Sequence, residues 1–495
     1  MAAEHVIGLD AGTSGARCVI VRPGAGKIAS ARREWSYETL PDAPFSWSFD
    51  VERFWPVICE VTNAALRDAG LSGDDIAAVG ITSQRLGVVV VDSDGHAVYA
   101  GPNIDARAFS QGLAIDAQQA ARVYEYCGKL PSLLLAPAKL QWLRAKQPGD
   151  FSRALAVLSI ADWAAYKLTG TPRGERTLSC DNGLLDVSTG EYDHAFLSAL
   201  DVPERVLPPL VSSSESAGEV GAAAAKAAGL RAGTPVVIAG ADTQCALLAM
   251  GLEQPGETGV VAGWSCPVQQ VTPQPRFDDQ RRTWVSLHAA RDRWVLESSA
   301  ADAGRAWRWW CEQLLGDEGS CLTNAVALAA EANAGANDAV ALLGPRAMNA
   351  GKMNAHLGGL VMMTPVGPAG RPQMLRAGLE SIAFALRANV DQAQAVSGLA
   401  SQRIALGGGF TRTATFPSML ASVLDREIDV AQDVEVSARG AALLAARAVG
   451  APEDALRIET QPVAPDAADI ETYRRSYERW RLIGEALDEA MRGLP

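Results

Sequence analysis

The sequence predicts a mixed α/β protein with two domains and a cleft between them. In the first half, strand-like runs such as "IAAVGITSQRLGVVVVDSDGHAVY" alternate with helical stretches such as "DVERFWPVICEVTNAALRDAG", a pattern that favours a sheet with helices packed on its faces. The 495 residues exceed what one hydrophobic core usually covers, and the pattern restarts after Asp242. We therefore expect two domains, at residues 1–238 and 239–495.

The first element is a hairpin at Val6–Val21, "VIGLDAGTSGARCVIV". Apolar runs on both sides of Gly12, Thr13 and Ser14 predict two strands, because glycine permits the positive φ angles of a tight turn. Such a turn leaves backbone N–H groups that can bind a phosphate. An ordinary hairpin without a ligand is the alternative, and the turn alone does not separate the two.

Helices are expected to dominate from about residue 115 to 170. The dipeptide Pro148-Gly149 is predicted to end one helix, and Gly170 to end another. An alanine-rich segment, "SESAGEVGAAAAKAAGLRAG", then leads into the strand "TPVVIAGAD". The domain boundary is placed near this change of composition.

The second half repeats the opening plan in a looser form. "GETGVVAGWSCPVQQV" predicts a strand, a glycine-containing turn and a strand, so the two halves are expected to be distant structural duplicates. A helix follows, in which Leu375, Leu379, Ile382, Leu386 and Val390 are spaced for one buried stripe. The charged amphipathic helix that closes the chain is expected to serve packing and solvation only.

Charge and composition exclude several classes of function. The net charge of −13 disfavours nucleic acid or an anionic membrane as the main partner. The eight cysteines stand singly, with no C-x-x-C pair, which argues against a zinc or redox site and indicates reduced core cysteines. The amino terminus enters a strand without an apolar leader, and no run of ~18 apolar residues occurs. We therefore expect a cytoplasmic protein that does not span a membrane.

Two aspartates stand at matching places, each directly after an apolar strand. Asp10 lies in "VIGLDAG" and Asp242 in "VVIAGADTQ". Carboxylates at strand ends in a cleft can hold Mg²⁺ or accept a proton. Each aspartate taken alone is better explained as a turn or cap residue, but the pair in matching contexts predicts a functional site.

A run of three glycines, Gly407, Gly408 and Gly409, separates a predicted strand from a predicted helix in "RIALGGGFTRTATFPSMLASVLDREIDV". Glycines at this place let a flat group or a phosphate approach the backbone. The run is neither a Walker loop nor a dinucleotide fingerprint, so an unrelated two-domain dehydrogenase is remote. By itself the run fits a plain loop equally well.

The order of these motifs resembles that of the FGGY carbohydrate kinases, which have the actin-like ATPase (ribonuclease H-like) fold. "DAGTSGARCVIV" is similar to their first phosphate loop, and "PAKLQWL" and "LRAGLESIAFALR" are similar to their two signatures. "AGADTQCALLAMG" resembles the stretch with the catalytic aspartate, and "GGGFTRTATFPSMLASVLDREIDV" resembles the adenosine-binding region. The resemblance spans residues 6 to about 450 and rests on the order of the motifs more than on any one of them.

The resemblance implies an ATP-dependent kinase that uses Mg²⁺. Asp242 would be the general base for a substrate hydroxyl and a metal ligand, and Asp10 would help to hold Mg²⁺ on the phosphates. The residues that would bind the nucleotide come from the two hairpins and the glycine run: Gly12, Thr13, Ser14, Arg17, Gly263, Ser265, Gly407, Gly408, Gly409, Phe410 and Thr411. Closure of the two lobes would exclude water from the transfer.

The sequence departs from the family pattern at two places. Gly263-Trp264-Ser265 stands where many relatives have Gly-Thr-Ser, so Ser265 or the backbone would have to replace the threonine hydroxyl. Phe410 stands where relatives often have a small or polar residue. We expect Phe410 to fill the core, and stacking near adenine is the alternative.

Substrate selection is expected from two segments of the first domain, "ITSQRLGVVVVD" and "GPNIDARA". Their polar side chains suit a polyol, and the predicted substrate-binding residues are Gln84, Arg85, Asn103, Asp105, Asp242 and Gln244. Surface salt bridges, such as Asp105 with Arg107, are the alternative. The expected reaction is phosphorylation of a primary hydroxyl on a small open-chain sugar, most simply a ketopentose such as xylulose.

Two alternatives stay open. The histidine typical of xylulose kinases is absent, and "PDAPFSWSFDVERFW", "PNIDARA" and "GADTQ" look more like the autoinducer-2 kinases, which act on a short linear dihydroxy-dione; Gln84-Arg85 also resembles the glycerol kinases. A non-catalytic nucleotide sensor of the same fold is the alternative from a different class, motivated by Trp264. A homodimer is the default expectation for an enzyme of this size.

Overall fold

The structure is a computed structural model, and it describes residues 4–40, 43, 45–316, 321–344, 346–352, 360–362, 369–453 and 455–492. Two large sheets, each covered by helices, make up most of it. The predicted mixed α/β class is therefore confirmed. We refer to the two halves as the first lobe and the second lobe, according to the sheet on which they are built.

The first lobe is built on a six-stranded sheet. Its strands are β1 (His5–Gly12), β2 (Gly15–Arg22), β3 (Gly26–Glu34), β4 (Ile76–Ser83), β10 (Ser216–Glu219) and β11 (Pro235–Ala241). The order is β10-β11-β4-β1-β2-β3, in which β1 and β11 run parallel to β4 while the β1-β2-β3 meander is antiparallel. Two smaller sheets complete the lobe: β5 (Val88–Asp92), β6 (Ala97–Gly101) and β7 (Ala154–Leu158) form one, and β8 (Gly174–Glu175) and β9 (Leu210–Val211) form the other.

The second lobe is built on a seven-stranded sheet. Its strands are β12 (Glu257–Val261), β13 (Pro267–Thr272), β14 (Trp284–Leu287), β15 (Trp294–Ser299), β18 (Arg403–Gly407), β19 (Ile428–Ala431) and β20 (Thr460–Val463). The order is β14-β15-β13-β12-β18-β19-β20. A separate pair joins β16 (Val340–Leu342) to β17 (Leu360–Met362).

The two large sheets share one topology. Each starts with an antiparallel hairpin, β1-β2 or β12-β13, and places a parallel strand, β4 or β18, beside the first strand of that hairpin. Each then adds one more parallel strand and an antiparallel edge strand. The expected duplication of the two halves is therefore confirmed at the level of strand order.

The helices, in chain order, are α1 (Val51–Ala69), α2 (Phe109–Cys127), α3 (Ala136–Lys146), α4 (Pro148–Arg153), α5 (Ile160–Thr169), α6 (Arg176–Asp181), α7 (His194–Ala199), α8 (Ala222–Ala228), α9 (Asp242–Ala249), α10 (Ala303–Leu315), α11 (Cys321–Ala330), α12 (Arg371–Ser397), α13 (Thr415–Leu424), α14 (Val436–Ala448) and α15 (Ile470–Arg492). Short 3₁₀ helices lie at Gly73–Asp75, Ser132–Leu134, Glu204–Val206, Ala336–Asp338, Ala350–Lys352 and Gly409–Arg412.

Local sequence signals account for most helix ends. The α1 helix begins where the Asp50 carboxylate accepts two backbone N–H groups, and it ends at Gly70 in the left-handed conformation. The α5 helix ends at Gly170 as predicted. The predicted helical region from about 115 to 170 is wrong in one part, because β7 interrupts it. Pro148 also starts a helix, α4, directly after α3 has ended.

Apolar clusters lie on the faces of both large sheets. In the second lobe, the predicted stripe on α12 is buried, and it packs with α10, α13 and the sheet. The aromatic residues Tyr473 and Trp480 attach α15 to the same core, which agrees with the packing role expected for the final helix. Six cysteines are buried free thiols, as predicted: Cys18, Cys59, Cys127, Cys180, Cys245 and Cys266. No helix among the described residues is long and apolar enough to cross a membrane.

The α14 helix comes from the second half of the chain but packs on the first sheet and on α9. Gly8 and Gly80 make this possible, because a Cβ at either position would lie 1.9–2.0 Å from a backbone oxygen of α14. Gly440 allows α9 the same approach, since its Cβ would lie 1.9 Å from the oxygen of Cys245. Three glycines thus seat α14 directly between the first sheet and α9.

The domain boundary at residues 238 and 239 stays a prediction. It falls within β11, and this strand pairs only with strands of the first sheet, β4 and β10. The α9 helix follows β11 without a break and also contacts β4 and β11.

Candidate active site

The two predicted aspartates lie at the same edge of the first sheet. Asp10 is near the carboxyl end of β1, where its partner on β4 is Thr82. Asp242 follows directly after Ala241, the last residue of β11, whose partner on β4 is Ser83. Because β1, β4 and β11 are parallel, their carboxyl ends meet at one edge, and ligands bind outside that edge in many α/β sheets.

Asp10 is buried, and Arg17 Nη1 donates to its Oδ2 over 3.0 Å. Among the described residues, no donor contacts Oδ1. Burial raises the pKa of Asp10 and the charge of Arg17 opposes that rise. A buried carboxylate oxygen without a donor is unfavourable by itself, but it suits a hard cation such as Mg²⁺, which prefers oxygen ligands.

Asp242 is the first residue of α9 and is partly exposed. The backbone N–H of Thr243 donates to its Oδ1 over 2.8 Å. Burial raises the pKa of Asp242 to about 7, the negative charge of Asp10 adds to the rise, and Arg85 opposes it. A carboxyl group with a pKa near neutrality suits a general base that works at physiological pH.

The first hairpin presents its turn to the space between the lobes. Thr13 is partly exposed and Ser14 is exposed, while Gly12 is buried beside the carboxylate of Asp10. Arg17, on the second strand of the hairpin, also lies 3.3 Å from Glu435 of the second lobe. The predicted hairpin and its turn are present as expected.

The second hairpin and the glycine run pack against one another. Gly408 has a φ of +97°, and a Cβ there would lie 2.6 Å from the oxygen of Ala262. This close approach explains why the second of the three glycines is required. Thr411 closes the loop by donating from Oγ1 to the oxygen of Gly408 over 2.9 Å.

A cavity of about 740 Å³ lies between these turns. Seven residues of the predicted nucleotide-binding regions line it, from both lobes: Thr13, Ser14, Arg17, Gly263, Trp264, Gly409 and Phe410. The other predicted residues, Gly12, Ser265, Gly407, Gly408 and Thr411, are not among its lining residues. Its volume is within the range of small-molecule and cofactor sites.

Two of the lining side chains belong to the departures from the family pattern. The indole of Trp264 is 45 % exposed and faces this cavity. The ring of Phe410 is partly buried against the second core, with its centroid 4.6 Å from that of Phe416. Phe410 thus packs on the core and lines the cavity at the same time.

Gln84 and Asn103 tie the first hairpin to the predicted substrate segments. The amide of Gln84 donates to the oxygen of Gly12 and to Tyr37, and its oxygen accepts the backbone N–H of Asn103. Asn103 Nδ2 donates to Thr13 Oγ1 over 2.8 Å, and its buried Oδ1 has no partner among the described residues. These two side chains therefore hold the turn of the first hairpin.

Asp105 is buried and already has donors on both carboxylate oxygens. Oδ1 accepts from the backbone of Trp47 and from Arg107 Nε over 2.9 Å, and Oδ2 accepts from the hydroxyl of Tyr99. The pairing with Arg107 that was considered as an alternative is present, but it is buried and not at the surface. This geometry gives Asp105 the role of supporting the loop and leaves it no exposed atom for a ligand.

Arg85 crosses from the first lobe to the second. Its Nη1 and Nη2 donate to the two oxygens of Glu297 over 2.6 and 2.9 Å, and its Nε lies 3.9 Å from Asp181. Asp181 also pairs with the buried Lys129 over 2.8 Å. The charge of Arg85 is therefore balanced by two carboxylates that the sequence analysis did not single out.

Hydrogen bonds through Gln269 link this ion pair to Thr243, the residue after Asp242. Gln269 Nε2 donates to Glu297 over 2.7 Å and to Thr243 Oγ1 over 3.1 Å. Thr243 Oγ1 in turn donates to the oxygen of Gln244, which is buried. Glu297 and Gln269 were missed because no motif contains them. The available signal was a charged residue within the apolar strand "WVLESS".

Two lobes with one strand order, which face each other across carboxylates and glycine turns, define a phosphotransferase of the two-lobed carbohydrate-kinase class. The chain belongs to the FGGY family of carbohydrate kinases. The model of that family's N-terminal domain matches residues 5–249, and the model of its C-terminal domain matches residues 259–449. The family resemblance noted from the motifs is therefore confirmed, and the chain is a sugar phosphotransferase of an ATP-utilising family.

Relatives of known name cover nearly the whole chain. The autoinducer-2 kinase of Klebsiella pneumoniae is 28% identical over 507 residues, which is 97% of this chain and 93% of that protein. Among solved structures, xylulose kinase from Rhodospirillum rubrum has a TM-score of 0.84 and 24% identity, and covers 98% of this chain and 99% of its own. Ligand-bound xylulose kinase from Lactobacillus acidophilus has a TM-score of 0.85, 20% identity and 98% coverage of both chains. The solved structures support the fold alone at this identity.

Proposed function

We propose that this chain transfers the γ-phosphate of ATP to a hydroxyl of a small open-chain sugar, with Asp242 as the general base. One observation carries the proposal: Asp10 and Asp242 stand at one sheet edge, and the negative charge of Asp10 contributes to the raised pKa of Asp242. The cavity beside them is lined by the turns of both lobes. A nucleotide in that cavity would direct its terminal phosphate towards the two carboxylates.

In the proposed reaction, the acceptor oxygen attacks the γ-phosphorus while the carboxylate of Asp242 takes the hydroxyl proton. The bond between the γ-phosphorus and the β,γ-bridging oxygen breaks, and ADP leaves with the negative charge of that oxygen. Phosphoryl transfer depends chiefly on positioning and charge neutralisation, and general-base assistance adds typically ~10²–10⁴-fold. The turn at Thr13 and Ser14 would supply donors for the phosphates.

The oxygens of Asp10 and Asp242 would hold Mg²⁺. The fit rests on Asp10 Oδ1, a buried oxygen that has no donor, and on the preference of Mg²⁺ for carboxylate ligands. When bound there, Mg²⁺ neutralises charge on the phosphates. Arg17 donates to Oδ2 of Asp10, so Oδ1 would be the oxygen that contacts the metal.

For the acceptor, we propose the short linear dihydroxy-dione on which autoinducer-2 kinases act. The relative with this name from Klebsiella pneumoniae aligns over 97% of the chain, and the segments "PNIDARA" and "GADTQ" support the same choice. A ketopentose such as xylulose is the second candidate, favoured by Asn103 Oδ1, which has no hydrogen-bond partner among the described residues and would accept from a sugar hydroxyl.

The test is release of ADP from Mg-ATP with a panel of acceptors: the dihydroxypentanedione, xylulose, ribulose, erythritol and glycerol. We expect turnover above the acceptor-free rate, fastest with the dione. Asp242→Asn should lose about 10²–10⁴-fold in kcat while still binding ATP, which calorimetry can measure. ATP binding without turnover on any acceptor, unchanged by this substitution, would establish a nucleotide sensor instead.

A further inference from the structure

We propose that Thr177, held by Glu175, is a positioning residue for Asp242. The inference rests on the proposed role of Asp242 as the base, but it concerns a part of the first lobe that neither the family motifs nor the nucleotide cavity includes. Both residues are buried, at the end of β8 and the start of α6. Thr177 contacts the end of β11 at Ala241, and neither residue lines the cavity.

The peptide unit that joins Gly240 to Ala241 is held at both of its polar atoms. Thr177 Oγ1 accepts the N–H of Ala241 over 3.0 Å, and Thr82 Oγ1 donates to the oxygen of Gly240 over 2.6 Å. The pairing of β11 with β4 shifts register between Ile238 and Gly240. At this irregularity, the hydroxyl groups of Thr82 and Thr177 hold both polar atoms of the peptide that precedes Ala241.

Glu175 fixes the direction of the Thr177 hydroxyl. Thr177 Oγ1 donates to Glu175 Oε2 over 2.7 Å, so its lone pairs are left for the N–H of Ala241. The same carboxylate accepts from the N–H of Leu178 over 2.9 Å and from the hydroxyl of Ser213 over 2.6 Å. A carboxylate only accepts hydrogen bonds. Thr177 therefore donates its hydroxyl proton to Glu175 and accepts the N–H of Ala241.

The arrangement leaves little room for the backbone to move. Gly240 has a φ of +96°, and a Cβ there would lie 2.6 Å from Thr177 Oγ1 and 3.3 Å from both Glu175 Oε2 and Ser213 Oγ. The network therefore encloses the residue two positions before the base. Since Asp242 is the first residue of α9, the orientation of this peptide sets the direction in which its carboxylate leaves the strand.

Thr177→Val and Thr177→Ser separate the hydroxyl from the volume of the side chain. Valine keeps the shape and loses the hydroxyl, whereas serine keeps the hydroxyl. We expect Thr177→Val to lower kcat for acceptor phosphorylation by roughly 10- to 100-fold, the size of effect that a misplacement near 1 Å produces, with the KM for ATP changed less than about twofold. Thr177→Ser should keep kcat within about threefold of the unsubstituted enzyme.

Equal kcat values for the valine and serine variants would overturn the inference, as would a loss that appears only in the KM for ATP. If Thr177→Val does not fold, Thr82→Val removes the other hydrogen bond to the same peptide and should give the same loss of kcat. If the unsubstituted enzyme phosphorylates none of the acceptors, the proposed function fails separately. A crystal structure of Thr177→Val then decides the inference, which requires a displaced Asp242 carboxylate and is overturned by an unmoved one.

Discussion

Arg85 of the first lobe donates to both carboxylate oxygens of Glu297 in the second lobe, over 2.6 and 2.9 Å. The two residues are 212 positions apart in the chain, and both are almost fully buried. Asp181 and Gln269 also contact this ion pair, Asp181 at Arg85 and Gln269 at Glu297. The Arg85–Glu297 ion pair therefore joins the two lobes close to Asp242.

Removal of one partner of this pair should be costly. Arg85→Met leaves the Glu297 carboxylate buried without its partner, and we expect it to lower the free energy of unfolding by about 3–5 kcal/mol. The double variant Arg85→Met/Glu297→Met should lose less than the sum of the two single variants. Urea unfolding measures all three.

The exposed pair Arg144–Asp201 is the matched control, because its atoms are 2.8 Å apart but both side chains are about half exposed. Arg144→Met should cost about 0–1 kcal/mol. Equal losses of unfolding free energy in Arg85→Met and Arg144→Met would contradict the description of Arg85–Glu297 as a buried ion pair.

Asp10→Asn should raise the Mg²⁺ concentration needed for half-maximal activity by roughly tenfold or more, because an amide is a weaker ligand than a carboxylate. Titration of kcat with MgCl₂ at fixed ATP measures the change. Asp68→Asn, at an exposed position near the end of α1, is the control and should leave the titration unchanged. An unaltered metal requirement in Asp10→Asn would remove Asp10 from the proposed metal site.

The same substitution should also change the pH dependence. The negative charge of Asp10 raises the pKa of Asp242, which is about 7, so its removal lowers that pKa. The base is active when ionised, and activity therefore declines as pH falls through its pKa. We expect the acidic limb of the pH profile of kcat/KM to move to lower pH in Asp10→Asn, as a series of rates between pH 5 and 8 would show.

His288 makes the stability of the protein sensitive to mild acid. Burial lowers the pKa of His288 to about 4, and Nε2 lies 3.0 Å from the oxygen of Leu252. Between about pH 6.5 and 4, the unfolded chain binds a proton that the folded protein does not. The free energy of unfolding therefore decreases by up to about 3 kcal/mol as the pH is lowered through this range. Urea unfolding at pH 7 and pH 4.5 should show a smaller difference for His288→Gln than for the unsubstituted protein. An identical difference would mean that His288 titrates normally.

Gly8 is expected to be essential for packing. A Cβ at this position would lie 1.9 Å from the oxygen of Ala438, so Gly8→Ala must separate α14 from β1. We expect a loss of about 1–3 kcal/mol or more in the free energy of unfolding. Gly149→Ala is the control, because nothing lies within 4 Å of its Cβ, and it should be neutral or slightly stabilising. A neutral Gly8→Ala would show that the close contact is absent.

Local sequence patterns predicted the secondary-structure elements and helix ends that are determined by residues close together in the chain. The first hairpin, the α1 and α12 helices and the end of α5 at Gly170 all follow from apolar spacing, caps and glycine. The five-residue strand β7 was missed, because a short apolar run inside an alanine-rich region fits a helix or a strand equally well. The sequence predicted that the two halves repeat one plan. It did not predict the order of the individual strands in either sheet.

The site was predictable where it consists of motifs and not where it depends on contacts between distant segments. Asp10, Asp242 and the two turns were found from their places after strands. Glu297, Asp181 and Thr177 were not, because each acquires its role only when a segment far along the chain packs against it. Asp105 shows the opposite error, since a polar residue in a motif is buried here as a support.

The seating of α14 on the first sheet restricts how the lobes can rotate. With Gly8, Gly80 and Gly440 leaving no gap at this contact, α14 is held directly against the first sheet and α9. We therefore expect α9 and α14 to stay seated on the first sheet when the lobes close, so that the spacing of Asp10 and Asp242 is conserved from one turnover to the next.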